Sequence, residues 1–233
     1  MSRPLVLVGA GGLARETAEA ARAGDQWHLT GYIDDDPARW GERVDGLAVL
    51  GGPELLAQQD DWAVAVCPGD GRGRAALRQR LTASGVAAAR FASVVHPTAV
   101  VPPSCSVGAG SIVLAGAVLT ASVTLGEHVV LMPGVVLTHD DVLADYVTVC
   151  ARAALGGDVR VGVAAYLGAG CLVRQHLTVG DGALLGMGSV VLADVPAHEV
   201  WAGVPARRLR DLTDATARAG APAEQEEIEG AMA

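Results

Sequence analysis

Large aromatic rings are scarce: Trp 4, Tyr 3 and Phe 1 make up 3% of 233 residues. Rings usually supply much of the area that a globular core buries. One thick core is therefore excluded, and thin repeated layers of Val, Leu and Ala are expected. Charge is sparse too, at 18% against 51% hydrophobic residues, which excludes a disordered chain. The net charge of −9 argues against nucleic acid as the main partner. Much of the acidity lies in the last stretch, where Asp211, Asp214, Glu224, Glu226, Glu227 and Glu229 face only Arg218. The cysteines, Cys67, Cys105, Cys150 and Cys171, form no CxxC pair, which fits a reducing cytoplasmic setting better than a disulfide framework or a zinc ribbon. No signal peptide is expected in MSRPLVLVGAGG, whose apolar run is too short. Charge is absent from Phe91 to Gly126, as in a membrane span, but Pro97, Pro102, Pro103 and a repeat of six argue against a lipid helix.

That repeat dominates the chain. Every sixth residue from Val95 to Val191 is Val or Leu, including Val113, Leu131, Val149, Leu167 and Leu185, and Gly often follows. The fifth position of each hexad is small or aliphatic, with Asp141 the sole break. Such a period fits neither a 3.6-residue helix nor the two-residue alternation of a sandwich. It fits a triangular solenoid in which a hexad is one short strand plus a corner and three hexads close a coil. The segment HEVWAGVPARRL (198–209) is expected to cap the open end. Residues 210–233 read as an acidic tail, helical in part or disordered.

Residues 1–90 have a different pattern. Leu5-Val6-Leu7-Val8 reads as a buried strand running into Gly9-Ala10-Gly11-Gly12, then a helix over 14–23, a strand over 29–33, a strand over 63–66 and a helix over 72–84. This is βαβ patterning with a parallel sheet. Gly9-x-Gly11-x-x-Ala14, with Asp34 further along, matches a dinucleotide fingerprint, although the same glycines serve a plain strand-to-helix turn. Ninety residues hold one mononucleotide half rather than two, which favours a nucleotide diphosphate over NAD. Gly11, Gly12 and the helix start would meet phosphate. Asp34 and Asp35 would accept from ribose or base, and Gly69 would lie on the same sheet edge.

A Rossmann-like half (1–90), hexad repeats (91–209) and a terminal AGVPAR together resemble the sialic-acid O-acetyltransferase and UDP-4-amino-sugar N-acetyltransferase family. The resemblance spans residues 4–209. It implies an α/β half-domain followed by a left-handed parallel β-helix, an acetyl-CoA donor, a nucleotide-linked amino sugar as acceptor, and a homotrimer with its sites between subunits. O-acetylation and a non-catalytic trimeric sugar-nucleotide scaffold are the alternatives. The family's catalytic hexad corresponds to Leu137-Thr138-His139-Asp140-Asp141-Val142. Histidine is a suitable base near neutral pH, and an adjacent carboxylate can orient it. Asp140 is the expected orienter, with Asp141 left open.

One coil of eighteen residues places Gly157 next to His139. The resemblance implies that the Gly157 N–H faces the thioester oxygen and that Thr148, Ala169 and Met187 line the acetyl-CoA path. Leu13, Met132, Thr148 and Asp141 stand where the family has histidine, asparagine, histidine and cysteine, which suggests a different sugar. His128, His176 and His198 are read as surface or groove residues. No metal is expected, since no two histidines lie five apart. Neither nucleic acid nor membrane is expected as a partner.

Overall fold

The computed structural model describes residues 2–212, so the part of the expected tail over 213–233 lies outside the described residues. The N-terminal part is a five-stranded sheet in the order β3-β4-β2-β1-β5, made of β1 (Arg3–Val8), β2 (Trp27–Ile33), β3 (Arg43–Val44), β4 (Leu47–Gly51) and β5 (Ala63–Val66). Strands β1 and β5 are apolar because both of their faces are covered, as parallel sheets require. Helix α1 (Gly12–Arg22) follows β1, and α2 (Gly71–Ala83) follows β5. The Asp70 carboxylate caps α2 by accepting from the Gly73 N–H at 2.7 Å. The β3–β4 hairpin turns at Asp45-Gly46, both with positive φ (47° and 80°), the backbone that a two-residue hairpin demands.

From Val94 onward, sixteen two-residue strands form three parallel ladders with a register of eighteen residues, the architecture of a left-handed parallel β-helix. The first face carries Ser106, Thr124, Val142, Arg160 and Thr178 outward. The second carries Val94, Ile112, Val130, Thr148, Tyr166 and Leu184. The third carries Val118, Val136, Ala154, Leu172 and Val190. The following residue of each strand points inward, and Leu119, Leu131, Leu137, Val149, Leu155 and Leu167 are at most 1% exposed. Val95, the first of the aliphatic series, is 37% exposed because the first coil has no layer beyond it. Nearly every corner holds a residue in the left-handed region, among them His128, Asp140, Tyr146 and Ala164. At the far end Glu199–Gly203 extends the second face and Ala206–Asp211 folds back on it.

The N-terminal part sits on the second face. Leu13, Ala14 and Ala21 of α1 share one core with Ile112, Leu114 and Val130. Helix α2 runs along the edge between the first and second faces. Gly71 meets Tyr146 and Ala164 there so closely that a Cβ would overlap the Tyr146 carbonyl oxygen. His128 is buried on this edge, its ring parallel to Tyr146 at 5.4 Å and edge-on to Phe91 at 5.3 Å, not on a surface or in a groove as its sequence position suggested. Packing that spans the two parts created this environment, and it pushes the imidazole down to about 4, chiefly by burial.

Candidate active site

Two clusters emerge on opposite sides of the prism. The first lies where β1, β2 and β5 end together at one sheet edge, with Val8 paired to both Ile33 and Val66. Gly11 and Gly12 follow β1, Asp34 and Asp35 follow β2, and Gly69 follows β5. This edge is the switch point where a parallel sheet offers a ligand crevice. A Cβ on Gly11, Gly12 or Gly69 would meet nothing within 4 Å, and none of the three has a positive φ. Neither packing nor backbone demands glycine there, and the three residues leave open space at this sheet edge. The Gly11 and Gly12 N–H groups have no acceptor among the described residues.

Asp34 is committed to the loop itself. Its carboxylate accepts from the Ala10 N–H at 2.8 Å, from the Asp36 N–H at 3.0 Å and from Arg39 at 3.2 Å. Arg39 also donates to the Ala10 carbonyl at 3.1 Å. Asp34 therefore braces the glycine loop and has little free capacity for a ribose. Asp35 is exposed and paired with Arg80 of α2. Leu13 points away from the loop into the core, at 7% exposure. Contact with a ligand at residue 13 falls to its backbone alone.

The second cluster lies on the edge between the third and first faces. His139 Nδ1 is 2.9 Å from Asp140 Oδ2, and both side chains are open to solvent. The carboxylate only accepts, so Nδ1–H is the donor of this pair, and in the neutral ring Nε2 is the nitrogen left to accept. Asp140 occupies the left-handed corner at φ 66°, fixed by its N–H to the Ala121 carbonyl at 3.0 Å. The neighbouring coil is tied on through the Asp158 N–H and the His139 carbonyl at 2.9 Å. The His139 ring covers Gly157, where any side chain would collide with Cε1 and Nε2. The Gly157 N–H has no acceptor among the described residues. A base with a free lone pair beside an unused backbone donor is the arrangement that acyl transfer needs.

Asp141 makes no side-chain hydrogen bond to His139. It is fully buried, accepting from the Thr138 N–H at 2.8 Å and the Val159 N–H at 2.9 Å. Burial pushes its carboxyl up to about 6 despite those two donors. It splices two coils beneath the corner. Thr148 likewise does not line an open donor path. It is 2% exposed under the N-terminal part, and its hydroxyl accepts from Arg74 and donates to the Gly69 carbonyl, each at 2.9 Å. Ala169 and the exposed Met187 stack on the edge between the second and third faces, one edge away from His139.

One chain thus gathers Gly11, Gly12, Asp34 and Gly69, and separately His139, Asp140 and Gly157, but it does not join the two clusters. The edge bearing His139 is the one opposite the second face, on which the N-terminal part sits. Arg74, missed in the sequence, joins the two parts. A charged residue in a helical stretch gives no sequence sign of burial.

Residues 4–81 match the PglD N-terminal domain family. The acetyltransferase domain of PglB from Neisseria gonorrhoeae FA1090, in complex with acetyl coenzyme A, superposes with a TM-score of 0.82 at 32% identity, covering 90% of this chain and 100% of that one. PerB from Caulobacter crescentus, in complex with CoA and GDP-perosamine, gives 0.80 at 32% identity, covering 89% and 97%. Among curated relatives, a 2,3,4,5-tetrahydropyridine-2,6-dicarboxylate N-acetyltransferase from Enterococcus faecalis is 46% identical over 50 residues, 22% of either chain. The alignment therefore spans about a fifth of that relative's length.

Proposed function

The chain belongs to the hexapeptide-repeat sugar N-acetyltransferases of the PglD/NeuD-like type, and on that footing we propose that it moves the acetyl group of acetyl-CoA onto the amine of a nucleotide-linked 4-amino sugar. The observation that carries this reading is the His139–Asp140 pair at 2.9 Å, held open to solvent against Gly157. The acceptor nitrogen attacks the thioester carbon, His139 Nε2 takes the proton the amine sheds, and the carbon–sulfur bond breaks to release CoA. Asp140 holds the ring and balances the imidazolium. The Gly157 N–H stabilises the oxyanion of the tetrahedral intermediate. The same proton then reaches the departing sulfur.

The glycine loop takes the diphosphate of the acceptor at the start of α1, with Gly11, Gly12 and Gly69 leaving room for it. Asp35 and the base-proximal end of the crevice set nucleotide choice. Ala169 and Met187 flank the pantetheine arm. A homotrimer completes the site by bringing the His139 edge of one copy to the glycine loop of another. Two features support it: the two clusters lie apart in one chain, and the third face is an uncovered aliphatic column in which Leu172 is 48% exposed. No described helix is long and apolar enough to cross a membrane. The cytoplasm is the proposed location, in keeping with four free thiols.

The test is CoA release and product mass with purified UDP-, dTDP- and GDP-linked 4-amino sugars, alongside His139→Ala. Turnover lost in the variant is the expected result. No turnover with any of the three acceptors would overturn the reading and favour a non-catalytic sugar-nucleotide scaffold.

A further inference from the structure

Arg74 of α2 is 0% exposed, yet among the described residues no carboxylate lies within salt-bridge distance of it. Every N–H of its guanidinium is used. Nε donates to the His128 carbonyl at 3.0 Å, and Nη1 to the Pro68 and Gly69 carbonyls, both at 2.9 Å. Nη2 donates to the Tyr146 carbonyl at 2.8 Å, the Val147 carbonyl at 3.1 Å and the Thr148 hydroxyl at 2.9 Å. A buried cation whose nearest opposing charge, Asp70, lies beyond salt-bridge distance is costly, and well-packed apolar residues hold two surfaces together as well or better. Adhesion alone therefore does not account for it.

The orientation of the carbonyls does. The Pro68–Gly69 and Gly69–Asp70 peptides are trans, so each N–H points opposite to its carbonyl. With the Pro68 and Gly69 oxygens drawn inward onto Arg74, and the Gly69 oxygen gripped again by Thr148, the Gly69 and Asp70 N–H groups are turned outward. Neither has an acceptor among the described residues. Both residues follow β5, whose last residue Val66 pairs with Val8 of β1, and Pro68 lies 4.0 Å from the place a side chain on Gly9 would take. Meanwhile the bonds to His128, Tyr146, Val147 and Thr148 fix this turn to the coils of the β-helix.

We infer that Arg74 is a positioning residue for the nucleotide-linked acceptor: it turns the Gly69 and Asp70 N–H groups towards the nucleotide crevice and fixes that turn to the edge between the first and second faces. This inference rests on the proposed function. It differs from a purely structural role in what it predicts for specificity.

The experiment uses the full chain with Arg74→Lys, Arg74→Met and Thr148→Val, a UDP-linked 4-amino sugar, and the same amino sugar without nucleotide. Arg74 variants should raise KM for the linked sugar by tenfold or more, leave KM for acetyl-CoA within twofold, and collapse the preference for the linked over the free sugar. Thr148→Val, which keeps the cation and loses one grip on Gly69, should move the same way by a smaller factor, and it serves if the arginine variants do not fold. A fall in Tm with the preference unchanged would overturn the inference and leave the proposed function intact. Should wild type turn over no linked sugar, calorimetric titration with UDP and GDP decides. Binding weakened tenfold in the variants supports the role, whereas equal binding, or none to wild type, ends it.

Discussion

The ring of His139 occupies the space where Gly157, one coil further along, would carry a side chain. Gly157 has no positive φ, so the glycine serves the imidazole rather than the backbone. Gly157→Ala should push the ring off its Asp140 partner and lower kcat about 10- to 100-fold. Because the displaced ring is solvent-exposed, the melting temperature should hold. Steady-state CoA release and a thermal melt on the same sample check both.

Asp140 and Asp141 should separate cleanly. Asp140→Asn leaves the fold alone and removes the orienting carboxylate, costing roughly 10- to 100-fold in kcat. Asp141→Asn leaves one of two buried backbone donors without its acceptor and should lower stability by about 1–3 kcal/mol with a smaller effect on rate. Denaturant melts and initial rates on both variants distinguish them, and the reverse pattern would make Asp141 the orienter.

Two buried groups oppose each other in the acid range. The Asp141 carboxyl is raised to about 6, so the folded state holds its proton longer than the unfolded chain does, and stability falls as pH rises from about 4 to 6. His128 is lowered to about 4, so the unfolded chain binds the extra proton, and stability is lost as pH falls from about 6.5 towards 4. Each contribution is on the order of 2–3 kcal/mol. Wild type should show a shallow profile between these limits. Asp141→Asn should unmask a stability that climbs with pH, and chemical melts at half-unit steps will read the slope.

Gly71→Ala should loosen α2 from the β-helix, since the new methyl would overlap the Tyr146 carbonyl. A backbone oxygen cannot swing aside, so a loss of about 2 kcal/mol or more is expected. Hydrogen exchange should show α2 and the 127–128 turn losing protection together.

Subunit complementation tests the shared site. Gly12→Leu fits the free chain, because a Cβ there meets nothing within 4 Å, but it fills the crevice. Co-expressed in equal amounts with His139→Ala, it should restore about a quarter of wild-type activity if each site draws on two copies. Zero recovery would mean that each chain works alone. Leu172→Glu, on the bare third face, should shift the sedimenting species towards monomer.

The period of six made the prism legible because the interior tolerates one kind of residue at one spacing, from Val113 to Val191. The pairing of His139 with Asp140 was legible only through the resemblance of Leu137-Thr138-His139-Asp140-Asp141-Val142 to the family's catalytic hexad, since the repeat by itself singles out neither residue. The β3–β4 hairpin was missed although Val44-Asp45-Gly46-Leu47 carries a hairpin-turn signal. Its flanking strands are too short and mixed to show alternation. The places of Arg74, Thr148 and His128 were beyond reach. Their burial comes from the docking of α2 on the solenoid, between segments more than fifty residues apart in sequence.

Left-handed backbone recurs at the corners, from Gly110 to His198, and a non-glycine residue held there costs about 1–2 kcal/mol. That recurring toll makes the prism behave like a threaded rod with a fixed pitch. Inserting one residue would advance every later layer off its corner and swing the distal edges around the axis. Whole turns can be gained or lost while the bearing of each remaining edge is preserved. Length variation in such a chain should therefore come in steps of a full coil, with smaller insertions confined to tips that leave the winding untouched.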